Sequence, residues 1–291
     1  MIALVLTPER QAQLAELLGD ERRLEAEYPK VAEYLDTAAV LAGTGNDEAD
    51  RAFDFRMLHY LTGGMTASAN PYWDIVAPAI SVRDGRRVVD GGNSRGSTRL
   101  AYGQTVLQAA YAYAIPSPET IAWMSRFCAG RPVVELGAGR GYWAAQVARN
   151  GTSVDAYDAE PPDKTDNVSF PYANGQPGVW HPVGDLNGFS ARIADGPDAV
   201  LFLCWPPGWG NTMAADALDA FDRSGGSRLV YVGEPKGGKT ANDAFFDQLS
   251  AQWKLESTDH EFVSWWNLAD TAQAWVRRHR PDGHSGASAR P

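Results

Sequence analysis

The sequence predicts an α/β fold: a mostly parallel sheet with helices on both faces, preceded by a mainly helical segment. Two observations predict it. After Gly130, short apolar runs alternate with helix-period segments, the pattern of strands joined by crossover helices. Before Gly130 the apolar residues recur mainly at helical spacing. We therefore divide the chain into a helical region, 1–130, a sheet domain, 131–280, and a disordered tail, 281–291, rich in Gly, Ser, Ala and Pro.

The elements follow in order. Thr7-Pro8-Glu9 is a helix start, with a capping hydroxyl, a proline at the first helical position and an acid in the first turn. Leu14, Leu17 and Leu18 then share a face. Leu24, Tyr28, Val31 and Leu35 continue the period, with Pro29 as a break. Phe53, Met57, Leu58 and Leu61 mark another helix, stopped by Gly63-Gly64. The stretch from Ser81 to Thr98 leaves the helical pattern: Ile-Ser-Val-Arg, then Asp84-Gly85 as a hairpin signal, then Arg-Val-Val before Gly91-Gly92-Asn93. Helices are expected over 100–114 and after Ser117-Pro118-Glu119. Beyond Gly130, strands are predicted at 133–136, 153–158, 179–183, 199–204 and 228–232, with helices at 142–149, 213–221 and 241–253. The stretches 254–263 and 273–277 would close the sheet as an antiparallel pair.

Composition narrows the function. The chain has 291 residues, 44% hydrophobic and 21% charged, enough apolar material for a large core, and a net charge of −10. An enzyme acting on nucleic acid needs clustered Lys and Arg against the phosphates, so a nucleic-acid partner is not expected. Cys128 and Cys204 read as reduced core thiols, and neither they nor the five scattered histidines have metal-ligand spacing. The apolar start, Met1–Leu6, is too short for a signal peptide or a membrane span. The expectation is a cytoplasmic protein with no membrane partner and no metal, and a homodimer is compatible with the sequence.

The segment Val133-Val134-Glu135-Leu136-Gly137-Ala138-Gly139-Arg140-Gly141-Tyr142 carries the chemistry. An apolar strand runs into a glycine turn that opens a helix, and glycine permits positive φ and close approach of a ligand to the backbone. The spacing is G-x-G-x-G rather than the G-x-G-x-x-G of dinucleotide folds. Glu135 stands two positions before the first glycine. A pyrophosphate does not want a carboxylate beside it, whereas a ligand with an ammonium and a sulfonium does. Asp158 ends the next strand, where it can accept from ribose hydroxyls, and Asp185 follows the third, where it can accept from an adenine amine. All three acids fall at strand carboxyl ends, where open α/β sheets bind ligands.

On these residues, 131 to about 280 resemble a class I methyltransferase dependent on S-adenosylmethionine (SAM). Glu135 to Gly141 matches the family's first motif, Asp158 its ribose-binding acid and Asp185 the acid beside adenine. The resemblance implies a Rossmann-like seven-stranded sheet with the last strand antiparallel, and SAM as cofactor on Glu135, Gly137, Gly139, Gly141, Asp158, Asp185 and Cys204. It covers about half the chain and leaves the helical region out.

Leu203-Cys204-Trp205-Pro206-Pro207-Gly208-Trp209 sits where that family places its acceptor loop, and is similar to the Asp/Asn-Pro-Pro-Tyr motif of amino methyltransferases. It departs from it twice: Trp205 replaces the polar residue and Gly208 the aromatic. Methyl transfer is an in-line displacement that asks mainly for alignment and removal of a proton. Candidate bases are Glu234, at a strand's carboxyl end, His181, His59, Tyr102, Tyr111 and Tyr113; Trp205 and Trp209 are candidates for an aromatic wall facing the tyrosines. Arg83, Arg86, Arg87, Arg95 and Arg99 form a basic run that reads either as a solvated hairpin or as a grip on a substrate anion. The reaction expected is N- or O-methylation of a small-molecule metabolite, with residues 1–115 as a lid. The alternatives are transfer or cyclisation of the aminocarboxypropyl arm of SAM, and a SAM-binding protein without catalysis.

Overall fold

The computed structural model describes residues 4, 6–66, 68–165, 167–196 and 198–278. The tail at 281–291 and most of Met1–Leu6 lie outside the described residues. The chain opens with five helices: α1 (Pro8–Gly19), α2 (Glu21–Glu27), α3 (Pro29–Val40), α4 (Asp47–Leu61) and α5 (Pro71–Val76). A hairpin, β1 (Ile80–Arg83) and β2 (Arg86–Val89), and two helices, α6 (Thr98–Ala110) and α7 (Pro118–Cys128), follow. Then come β3 (Val133–Leu136), α8 (Tyr142–Arg149), β4 (Val154–Tyr157), β5 (Val183–Gly184), α9 (Leu186–Asp195), β6 (Val200–Cys204), α10 (Met213–Arg223), β7 (Arg228–Gly233) and α11 (Asp243–Gln252). The chain ends with β8 (Trp253–Thr258), β9 (Val263–Trp265) and β10 (Thr271–Arg277).

The helix starts follow their caps. Thr7 Oγ1 accepts from the Arg10 N–H at 3.2 Å and Ser117 Oγ from the Thr120 N–H at 3.1 Å, each before a proline at the first helical position. Pro29 begins α3 rather than merely interrupting a helix, because its missing N–H is one of the donors a helix start leaves unpaired anyway.

The main sheet has seven strands in the order β5-β4-β3-β6-β7-β10-β8. The first five are parallel, and β10 runs antiparallel to both its neighbours, β7 and β8. This is the Rossmann-like architecture expected. Side chains alternate across it. Val134, Leu136, Leu201 and Leu203 pack with α9, α10 and α11 on one face; Val133, Val200 and Phe202 pack with α7 and α8 on the other. The second face also belongs to the N-terminal helices, since one continuous buried cluster runs from Leu14 through Tyr72 and Trp143 to Ala274.

Two elements differ from expectation. The strand predicted at 179–183 shrinks to Val183–Gly184. Pro177 and Pro182 offer no N–H to a ladder, and the residues before β5 are drawn across the glycine turn instead. The pair expected at 254–263 and 273–277 does form, but β9 leaves the main sheet between them and adds to the hairpin, parallel to β2, as a separate three-stranded sheet.

Candidate active site

The glycine turn lies between β3 and α8, at the carboxyl edge of the sheet. Gly137, Gly139 and Gly141 have φ of 81°, 56° and 77°, a region that favours glycine. Gly141 is the N-cap of α8. A Cβ at Gly139 would lie 2.5 Å from the Phe170 ring, and one at Gly141 2.7 Å from the carbonyl oxygen of His181. The turn is thus packed on one side by the 160–182 segment and open on the other to a cavity of about 800 Å³. That cavity is lined from the ends of three strands: Leu136 and Gly137 after β3, Asp158 after β4, and Cys204 to Pro207 after β6.

Glu135 is 2% exposed, and its Oε2 is buried with no hydrogen-bond partner. Burial first, and then the charge of Asp158, push its pKa up to about 8, partly offset by a hydrogen bond with the backbone of Ala144 in the first turn of α8. An unpaired buried carboxylate oxygen is costly, and here it borders a cavity large enough for a ligand. Asp158 is held by two backbone donors: the Gly139 N–H to Oδ2 at 2.7 Å and the Glu160 N–H to Oδ1 at 2.9 Å. Each oxygen retains a lone pair for a further donor.

Part of the cavity wall is aromatic. Tyr113 stacks on Trp205, with centroids 5.6 Å apart and planes 16° from parallel, and meets Phe170 edge-on at 5.6 Å. Tyr113 and Trp205 therefore form one continuous wall, not two walls with a slot between them as the sequence had indicated. Trp205 has φ of 50°, a conformation that costs about 1–3 kcal/mol for a bulky residue. Three contacts hold it there: its N–H to the Val232 carbonyl at 2.7 Å, Nε1 to Asp270 Oδ2 at 2.9 Å, and the Tyr113 stack. Asp270 is itself 1% exposed, its pKa raised by burial, and it accepts also from Ser264 Oγ. Trp209 stands at the mouth, 85% exposed. Tyr111 is buried among Tyr72, Tyr142 and Trp180 with its edge on the cavity. Cys204 lines the cavity, and burial raises its pKa well above the usual thiol range.

Several predicted residues stand elsewhere. Asp185 does not line the cavity: it caps α9 through the Gly188 N–H at 3.0 Å and pairs with Lys164 at 2.8 Å, and its neighbour Leu186 faces the cavity instead. Glu234 is also turned away. Its Oε1 accepts from the Ala269 N–H and its Oε2 from the Lys239 N–H, so it fastens two loops. The ring of His181 is occupied by the Pro182 carbonyl at 2.9 Å, outside the cavity. His59 is bound by Arg10 and the Met65 carbonyl, and Tyr102 stacks on Tyr34. The basic run is largely spent on internal partners: Arg83 on Asp90, Arg86 on the Leu268 and Asp270 carbonyls, Arg87 on Glu119 and Glu261, and Arg99 on Asp54. Among the described residues of 1–115, only Tyr111, Ala112 and Tyr113 line this cavity.

Sequence reasoning missed Arg140 and Phe170. Arg140 is 2% exposed and, among the described residues, forms no ion pair with a carboxylate; its guanidinium donates to the carbonyls of Pro171, Pro177 and Gly178. The glycine turn thereby holds a strap, residues 167–182, across itself, and Phe170 rests on Gly139. An arginine between two motif glycines was the available signal. Asn167 and Ser169, on the same strap, also line the cavity.

No protein-family model matches the sequence, and no curated protein matches it. Among solved structures, the chain is similar to a magnesium protoporphyrin IX methyltransferase from Synechocystis PCC 6803 with bound SAM, at 13% identity and a TM-score of 0.31, over 55% of this chain and 77% of that one. It is similar to the CcbJ methyltransferase from Streptomyces caelestis at 14% identity and a TM-score of 0.29, over 55% and 94%. An O-methyltransferase family 2 protein from Planctomyces limnophilus DSM 3776, in complex with apigenin, aligns over 95% and 98% at 11% identity and a TM-score of 0.30.

Proposed function

We propose that the chain is a SAM-dependent methyltransferase acting on a small molecule. The observation that carries this reading is Glu135 Oε2, a buried acceptor without a partner beside an open glycine turn. It fits a cationic ligand pressed against backbone. A nicotinamide dinucleotide would bring its pyrophosphate to a glycine turn of this kind, next to an acid whose ionised form repels it and which offers it no cation.

Bound there, SAM would supply an activated methyl group on a positively charged sulfur. The residues of the chain have separate tasks. Glu135 would hold the ammonium, and Asp158, pre-oriented by Gly139 and Glu160, the ribose hydroxyls. Tyr113 and Trp205 present aromatic surface to a positive charge, worth about 0.5–2 kcal/mol, and exclude water. Glu234 and His181 face away from the cavity, so neither is retained as the base. Of the candidate bases, Tyr111 and Tyr113 line the cavity, together with the carboxylates Glu160 and Asp216; an acceptor nitrogen or sulfur that attacks with its own lone pair would need none of them.

The test is calorimetry with SAM, S-adenosylhomocysteine and NAD, followed by product analysis with SAM labelled either on the methyl or on the carboxyl carbon. Micromolar SAM binding, no NAD binding and methyl label in the product are expected. Carboxyl label in the product would instead establish transfer of the aminocarboxypropyl arm. NAD binding with SAM excluded would refute the reading.

A further inference from the structure

A second cavity, of about 500 Å³, lies between the N-terminal helices and the outer side of the strap. Its volume is in the range of pockets that enclose small molecules, roughly 300–1,000 Å³. Tyr28 at the start of α3, Tyr102 and Val106 on α6, and Tyr172 on the strap give it aromatic and aliphatic walls, and the small side chains of Ala109 and Ala110 leave the space between them. Its charged lining residues, Lys30 and Glu33, are paired with each other at 3.0 Å. The remaining polar groups, such as Thr105, Asn174 and Gln176, are neutral. A lining of this kind neither attracts nor repays a charged occupant.

The second cavity adjoins the first. The chain passes from one to the other within a single residue at two places: Ala110 lines the second and Tyr111 the first, Pro171 the second and Phe170 the first. The same strap roofs both. It is tied to the glycine turn by Arg140 and to the N-terminal helices by two amides, Asn174 Nδ2 to the Glu27 carbonyl at 2.7 Å and Gln176 Nε2 to the Tyr60 carbonyl at 3.0 Å. Tyr172, on that roof, is 64% exposed, an unusual place for a tyrosine that covers nothing.

We infer that this cavity binds an uncharged, flat aromatic small molecule, and that it houses the body of the methyl acceptor while the reacting end reaches toward the Tyr113–Trp205 wall. Calling the occupant an acceptor rests on the transferase reading; the binding of an uncharged aromatic molecule does not.

The probe is N-phenyl-1-naphthylamine, an uncharged aromatic dye whose emission rises in apolar surroundings, added to the full chain. About one equivalent should bind, with emission unchanged by saturating S-adenosylhomocysteine, because the groups proposed to hold that ligand, Glu135 and Asp158, line the first cavity and not the second. Ala109→Trp fills the space and should weaken the dye by about tenfold or more, near 1.4 kcal/mol, while SAM affinity stays that of the parent. Should Ala109→Trp fail to fold, Tyr172→Ala decides, since it removes one wall from an exposed position and should weaken the dye several-fold. Absence of dye binding to the parent chain, displacement of the dye by S-adenosylhomocysteine, or parental dye affinity in both variants would overturn the inference. Calorimetry with SAM on the same samples separates the two ideas: failure to bind SAM defeats the transferase reading while the dye result stands.

Discussion

Glu135→Gln tests the reading most sharply, because it should improve the empty protein and damage the loaded one. The amide keeps the shape of the side chain and removes its charge. Two unit charges about 4 Å apart attract by about 4 kcal/mol at an effective dielectric constant of about 20. With the Glu135 pKa pushed up to about 8, ionising it at pH 7 costs about 1.4 kcal/mol of that. The remainder, about 2.5 kcal/mol, makes SAM binding roughly 50- to 100-fold weaker in the variant. Between pH 6 and 7.5 the parent chain should bind SAM more tightly as pH rises, and the variant should show no such slope.

The linkage for folding runs the other way. In the folded state Glu135 keeps its proton up to about 8, while the unfolded chain releases it near 4.5. The unfolded state therefore binds fewer protons in that window, and stability falls as pH rises, by on the order of 3 kcal/mol at pH 7. Glu135→Gln removes this loss. The ligand-free variant should melt several degrees higher at pH 7–8 and close to the parent near pH 4.5, at about 2–4 °C per kcal/mol for a chain of this size class. Calorimetric titration and scanning across pH read both effects. Equal SAM affinity in parent and variant at pH 7 would refute the cationic-ligand argument, whatever happened to the melting temperature.

The remaining predictions concern the rest of the site. Asp158→Ala should weaken SAM by about 1.5–3 kcal/mol, the scale of hydrogen bonds to a charged group, as read by calorimetry. Arg140→Lys cannot span three carbonyls with a planar fork, so chymotrypsin should cut the strap after Tyr172 faster than in the parent, as mass spectrometry of the fragments would show. Trp205→Phe leaves Asp270 Oδ2 without its indole donor inside the core and should lower stability by about 1–3 kcal/mol, measured by denaturant unfolding. His181→Ala should leave the transfer rate within about twofold, the effect of a surface change of about 0.5 kcal/mol or less.

The sheet was legible because its strands are apolar runs of a length that only a buried strand explains. Val133–Leu136, Val200–Cys204 and Arg228–Gly233 were all found within a residue or two. The glycine turn was legible because three glycines at fixed spacing mark positive φ. What escaped was decided by long-range pairing. Nothing local in Val263–Trp265 says that it will join β2 rather than stay with β8 and β10. The carboxylates show the same limit. Asp158, Asp185 and Glu234 look alike in sequence as acids at strand ends, but only Asp158 meets the cavity; a lysine 21 residues upstream takes Asp185, and the two backbone N–H groups that take Glu234 lie five and 35 residues downstream. Phe170 escaped because a Pro-rich loop carries no periodicity, and its place follows from what Arg140 grips.

The parallel pairing of β9 with β2 also bears on how the chain reaches its native state. Arg87 on β2 donates to the carbonyl of Glu261, 174 residues later in sequence. Contacts this distant are slow to form, because the intervening chain must be brought together before the pairing contributes anything. During synthesis, at about 5–20 residues per second, the ribosome needs roughly 10–35 seconds between making β2 and making its partner. For that interval the outer edge of β2 carries unpaired backbone groups, the kind of edge that other chains can join. The hairpin turns at Asp84-Gly85 and is flanked by Arg83, Arg86 and Arg87. Before those arginines become internal partners for Asp90, Glu119 and Glu261, their like charges would keep two nascent copies apart. The basic run, largely spent on internal partners in the folded chain, is well placed to guard an edge that must wait for the end of the chain.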